Sequence, residues 1–310
     1  MTYQLHKGHA RLSDLVDGNM ALGGLPVGAD GRIFYVDEDT TGLTSGRSGN
    51  SGLKPDESFP TLQAAIDACT NDYGDLIICK AATQTVTDAV DFNKKGITVM
   101  AENIGYPNIA KGERFMIYGS HTDGPAGIIT APCKIIGMGF CGSETAGGSL
   151  EIDGTTGGFG GGNFVELFNV RFSHWGVAKA YALILQGTGD VVVDSCYFDG
   201  YTAGYTTAAI SIQLAGASGT WVPHIVNNRF NNIETYAIKM ETGSVPVWGL
   251  VEHNFVTGDG KFFDDNDVDG SFCFYDNYLS GATDTGSYGD TVTNLQSAGY
   301  HFANNHYEES

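Results

Sequence analysis

A degenerate pattern that ends in an aromatic side chain recurs down the last two thirds of this 310-residue sequence. Its copies run Val165–Phe172, Val191–Phe198, Pro223–Phe230, Trp248–Phe255, Ser271–Tyr278 and Tyr300–Tyr307. The terminal aromatics are 26, 32, 25, 23 and 29 residues apart. A unit this short cannot enclose a core of its own. It buries its apolar face only against the copies before and after it, which is the logic of a solenoid. The copies are rich in β-formers and punctuated by Gly and Asn, so the pattern predicts coils of a parallel β-helix.

Composition agrees with stacked strands and tight corners. Gly supplies 44 residues without a Gly-X-Y period, and Pro only 8. Gly serves where the backbone must take positive φ. The 15 Tyr and 17 Phe provide ample core. The formal net charge of −20 argues against coating nucleic acid, whose phosphates are bound through Lys and Arg. It also disfavours a polyanionic glycan unless a metal bridges the charges. The N-terminus carries no apolar signal-peptide core, and no run of 18 apolar residues predicts a membrane span. The six Cys form no CxxC pair; Cys79, Cys133, Cys196 and Cys273, in strand-like apolar runs, read as buried free thiols made in a reducing cytoplasm.

Residues 1–31 stand apart as an N-terminal arm, Gly-rich towards its end, and residues 32–310 form the β-helix. Strands are expected at Ile33–Asp37, Asp75–Cys79 and Gly96–Met100. Between the first two, Thr61 is the expected N-cap of a helix whose apolar stripe is Leu62, Ala65, Ile66 and Cys69. The segments Phe34–Asp37, Gly52, Pro55, Phe59–Asp67, Gly74–Ile78 and Lys95–Val99 together resemble the opening of right-handed parallel β-helix proteins of the pectate-lyase-like superfamily. Bacteriophage tailspikes and other virion spikes belong to that superfamily. The resemblance implies an all-β, right-handed, single-stranded parallel β-helix, an amphipathic helix capping its first coil, and a homotrimer. It is nearly silent on chemistry, because the superfamily hosts lyases, hydrolases, isomerases and pure binding proteins.

The sharpest local motif is acidic. Asp265, Asp267, Asp269 and Gly270 fit the opening of an EF-hand-type calcium loop, with Asp276 at the position of the last ligand. A bound calcium would staple a loop rather than run a reaction, and the competing reading is a solvated acidic corner. Trp175, Tyr201, Tyr205, Trp221 and Trp248 lie near coil corners, where they would meet a subunit, stack on sugar rings or simply pack. A glycan-cleaving reading needs paired carboxylates in one groove. Asp194, Asp199, Glu234, Glu252 and Asp264 are the candidates, and no motif marks any of them as catalytic. Gly157–Gly162 lacks the features of a phosphate loop. The Asn residues at coil ends read as structural, being tolerated in left-handed bends and able to hydrogen-bond along a stack.

The sequence therefore predicts a structural virion protein of a tailed phage: a spike, fibre or capsid-decoration subunit. The arm, residues 1–31, would dock on capsid or tail proteins, and the β-helix would project towards host surface glycan. No cofactor is expected beyond a candidate Ca²⁺. The alternatives are a polysaccharide-cleaving enzyme and a non-catalytic adhesin on the same fold.

Overall fold

The computed structural model describes residues 31–38, 49–103, 114–120, 124–142, 148–155, 164–173, 179–187, 189–200, 205–213, 221–241, 247–258, 260–265, 270–280 and 301–308. These residues form three stacked sheets of 10, 9 and 7 parallel strands. The first sheet runs from Ile33–Val36 to His301–Ala303, the second from Thr83–Val86 to His306–Glu308, and the third from Val90–Phe92 to Lys261–Asp265. From Leu76 to Asp265 the chain visits first, second and third sheet in turn, and each strand pairs in parallel with the strands one circuit away. The fold is all-β and consistent with a β-helix solenoid.

The opening differs. Between the first-sheet strands Ile33–Val36 and Leu76–Cys79 the chain makes a short 3₁₀ turn and the helix Leu62–Ala68, with no strand of the other two sheets among the described residues. The Thr61 hydroxyl accepts the Ala64 N–H at 3.3 Å, the capping bond expected from the sequence. Leu62, Ala65, Ile66 and Cys69 are all buried. The strand entering the second circuit is tied to the first through Asp75. Its carboxylate, inaccessible to solvent, accepts the backbone N–H groups of Arg32 and Thr70, both at 2.8 Å, and the Arg32 guanidinium at 3.0 Å. Burial pushes the Asp75 carboxyl up, but the bonds from Arg32 and Thr70 and the charge of Arg32 outweigh it and hold the carboxyl below its ordinary value. A depressed folded-state pKa means that the contribution is complete above the unfolded value near ~4 and is lost as pH falls through the folded one. Asp75→Asn should therefore destabilise the chain by about 1–3 kcal/mol at pH 7, and the gap from wild type should close on acid titration below about pH 4, read by denaturant unfolding.

Two axial arrays hold the circuits together. Inside the second sheet, Phe140, Phe172, Phe198 and Phe230 occupy one register row. The last three stack with centroids 4.7 and 4.6 Å apart, matching the strand spacing of ~4.7–4.9 Å. Where the first sheet turns into the second, the corner residue takes positive φ at Gly137, Asn169, Ser195, Asn227, His253, Asp276 and Asn304. The next residue forms the other array. Asn254 shows the pattern: its Oδ1 accepts both the backbone N–H and the Nδ2–H of Asn228, while its own Nδ2 donates to Ile225 O and Asn277 Oδ1. Asn228, Asn277 and Asn305 repeat it, and the row begins at Cys196, whose N–H donates to Asn228 Oδ1. The Asn set read as structural thus divides into bend formers and ladder members.

The register corrects the sequence alignment of the fourth and fifth copies. Phe230 pairs with Val256, and Arg229 with Phe255; Tyr278 follows Phe255, while Leu279 follows Val256. Phe255 and Tyr278 therefore stand outside the sheet, since a one-residue slip moves a side chain to the opposite face. All six cysteines are free thiols, five buried and Cys273 half-buried. Burial pushes the Cys133 and Cys196 thiols up to about 12.

The first sheet is not covered uniformly. Its strands Leu76–Cys79 and Thr98–Ala101 are buried at every position, whereas Gly189–Asp194 alternates between buried and half-buried. Among the described residues no helix is long and apolar enough to cross a membrane.

Candidate functional site

A solenoid offers its outward side chains in rows that climb the stack, so residues far apart in sequence become neighbours. One such polar group lies outside the third sheet. Tyr181 donates its hydroxyl to Glu241 Oε1 at 3.0 Å, two strands along the sheet. Lys239 pairs with the same carboxylate at 3.2 Å. The hydroxyls of Thr207 and Ser211 are near enough to oppose part of the shift of the phenol, and Gln213 Nε2 donates to Ser211 Oγ at 3.3 Å. Ile184 and Ser211, which alternate with core residues and so point outward, are nonetheless buried. Burial, then the charge of Glu241 and the bond to it, raises the Tyr181 hydroxyl above its ordinary value.

Further down the same face, Glu151 and Asp153 point outward from Leu150–Asp153, and Asp153 is in register with Gln186. Burial, and after it the charge of Asp153, pushes the Glu151 carboxyl above the usual carboxylate range. A half-buried phenol bordered by amides, hydroxyls and carboxylates has the chemistry of a saccharide contact, an aromatic group for the sugar ring and fixed groups for its hydroxyls.

No protein-family model matches this chain, and comparison with curated proteins and with solved structures finds no match.

A second outward row runs up the second sheet as Arg171, Tyr197, Arg229, Phe255 and Tyr278. Arg171 pairs with Asp199 at 2.9 Å. Arg229 lies 6.0 Å from the Tyr197 centroid and 5.5 Å from that of Phe255, and Phe255 stacks on Tyr278 at 4.9 Å. The facing rings and guanidinium groups cover one another, so only edges face outward. The row is a brace along the stack rather than a stacking platform.

The residues singled out from the sequence are scattered. Tyr205 is a correction: it is fully buried, its hydroxyl donating to Phe172 O at 3.4 Å, so it packs in the core and presents nothing to a partner. Trp248 is 57% exposed on the outer face of the first sheet, as is Phe164 at 50%. Trp221 opens the strand Trp221–Val226. Trp175 and Tyr201 lie outside the described residues. Asp265 ends the strand Lys261–Asp265, and Asp267 and Asp269 lie outside the described residues. Asp276 follows the six-residue strand Gly270–Tyr275, which spans roughly 20 Å at ~3.3 Å per residue. It faces His253, whose Nε2 is 3.6 Å from its carboxylate. An ion held by Asp265, Asp267 and Asp269 would have to complete its shell without Asp276. Among the described residues no group of three or more His, Cys, Asp or Glu is arranged to hold a metal.

Of the other acids weighed from the sequence, Asp199 is engaged by Arg171, and Asp194 accepts from Ser195 and Asn227. The Tyr181 group escaped sequence reading because its members sit up to 60 residues apart. Ser211 and Gln213 alternate with the buried Ile210 and Ile212, which marks those two as outward, whereas Tyr181 has the parity of the buried Leu183 and gives no such signal.

Proposed function

We propose that this chain is a structural virion protein of a tailed phage, a spike, fibre or capsid-decoration subunit. In this reading a right-handed parallel β-helix, capped by the helix Leu62–Ala68, projects from the particle. The arm, residues 1–31, attaches it, and three copies pack side by side. The observation that carries the proposal is the axial bracing: an Asn ladder and a Phe stack that fasten each circuit to the next, as a projecting shaft requires. Trp248 and Phe164, large apolar groups on one outer face, supply a surface for a neighbouring copy. The Tyr181 face is the part of the shaft best suited to host surface glycan.

A second reading, a polysaccharide-cleaving enzyme on the same fold, is favoured by Glu151, since burial and the neighbouring Asp153 shift its carboxyl in the direction a general acid needs. Solution mass separates the two. A trimer is expected for the full chain and for a chain lacking residues 1–31, with particle attachment lost only in the latter. A monomer in both forms that shortens surface polysaccharide would overturn the structural reading.

A further inference from the structure

Two outward rows, one on the second sheet and one on the first, each carry a single unengaged charge, and the two charges are of opposite sign. On the second sheet the row is Arg171, Tyr197, Arg229, Phe255 and Tyr278. Arg171 is taken by Asp199. Arg229 is exposed between the Tyr197 and Phe255 rings, and among the described residues no carboxylate or other hydrogen-bond acceptor meets its guanidinium. On the first sheet the row is Phe164, Asp190, Val222 and Trp248, and Phe164 and Trp248 are exposed. Other acids on that face are engaged: Glu166 pairs with Lys134 at 2.6 Å, Asp194 accepts from Ser195 and Asn227, and Glu252 lies 3.9 Å from His253. Asp190 has no partner among the described residues. A lone charge in an apolar row gives the row a direction. It favours a surface of opposite charge and penalises a copy of itself.

We infer that these rows are the two halves of one contact between copies: the second-sheet row of one copy lies against the first-sheet row of the next, and Arg229 meets the Asp190 of that neighbour. The inference rests on the reading of three copies packed side by side. Heights along the stack agree with it. Rotation about an axis parallel to the stack leaves each circuit at its own height, so equal circuits face one another. The strands that carry Trp248 and Phe255 belong to one circuit, as do those that carry Asp190 and Tyr197. Arg229 stands one strand from the level of Asp190, about 4.8 Å, a step that a flexible arginine side chain spans. Trp, Tyr and Arg are also the side chains that dominate contacts between proteins. Joining two parallel copies through the same row would set Asp190 against Asp190, or Arg229 against Arg229. The contact is therefore head-to-tail, which closes into a ring rather than a two-fold pair.

Sedimentation of the full chain over a range of concentrations tests the contact. The wild type should be a trimer. Arg229→Glu, and separately Asp190→Lys, should each raise the concentration of half-assembly by about tenfold or more. Arg229→Glu with Asp190→Lys in one chain should recover most of the loss, because every contact then holds the pair in reverse. If circular dichroism shows that a single reversal unfolds the chain, Arg229→Gln and Asp190→Asn take its place, and each should weaken assembly in the same direction. Trimers indifferent to both single changes would overturn this contact and leave the three-copy reading standing. A wild-type chain that is monomeric or dimeric would overturn both. Weakening by each single change without recovery in the double variant would put the two residues in separate contacts and overturn the pairing. Trimers of Arg229→Glu that assemble normally but no longer attach to the host surface would assign Arg229 to a host carboxylate, and equally overturn it.

Discussion

Asn254→Ala should lower the unfolding free energy by about 3–5 kcal/mol, a very large loss for so small a change in volume. Asn254 is 1% exposed, and its side chain takes part in four hydrogen bonds that bridge three circuits. Alanine leaves the Asn228 N–H, one Asn228 amide proton, Ile225 O and Asn277 Oδ1 without that partner, in a place where water cannot easily replace it. Each orphaned buried group costs about 1–3 kcal/mol before relaxation. Asn254→Asp should be nearly as damaging, because it keeps the acceptor but sets a carboxylate against Ile225 O and Asn277 Oδ1. Asn305→Ala, at a half-buried position where Oδ1 accepts the N–H and an amide proton of Asn277 and Nδ2 donates to Phe274 O, should cost less, about 1–3 kcal/mol, because water can reach the groups it leaves. Denaturant unfolding gives the sizes. Hydrogen exchange should show the opening centred on circuits beside residue 254, as expected where each repeat is held only by its neighbours. A loss below about 1 kcal/mol at Asn254 would mean the ladder is incidental.

Phe198→Ala and Phe255→Ala should differ widely, although the sequence pattern gives the two residues the same role. Phe198 is fully buried between Phe172 and Phe230. Its loss removes a ring from a packed column and leaves a cavity, at about 3–5 kcal/mol. Phe255 is 36% exposed outside the sheet, between Arg229 and Tyr278, and its loss should cost about 1 kcal/mol. Val256 is the residue that fills the column at that level. Equal losses at the two sites would contradict the register.

These two cases show what the sequence carries. The period, the N-capped helix at Thr61 and the Gly and Asn corners are local, and backbone chemistry dictates them without reference to distant residues. The register of the fourth and fifth copies is not local. Phe255 and Val256 are both apolar, and only the pairing of Arg229 with Phe255 decides which points inward. Tyr205 was misread for a related reason: proximity to a corner does not fix the direction of a side chain. The acidic loop reads as a calcium site only if residues 265–276 curl, and the extended strand Gly270–Tyr275 draws Asp276 away. The Tyr181 group depends wholly on stacking, since neither Tyr181 nor Glu241 has any signature alone. The doubly buried first sheet, by contrast, was open to reading. Leu-Ile-Ile-Cys and Thr-Val-Met-Ala are apolar without alternation, the mark of strands with no face in water.

The Asn ladder, the Phe stack and the strand pairing all run along one direction, the axis of the stack, while the covalent chain runs across it. Such a body resists compression and bending, because every load is shared by several bonds at each level. Pulled from a terminus it would behave differently. Force would fall on one circuit at a time, and the chain would peel in steps, each releasing on the order of 90 Å of contour at ~3.4 Å per residue. A part built this way is strong when pushed against a surface and weak when drawn out by its end.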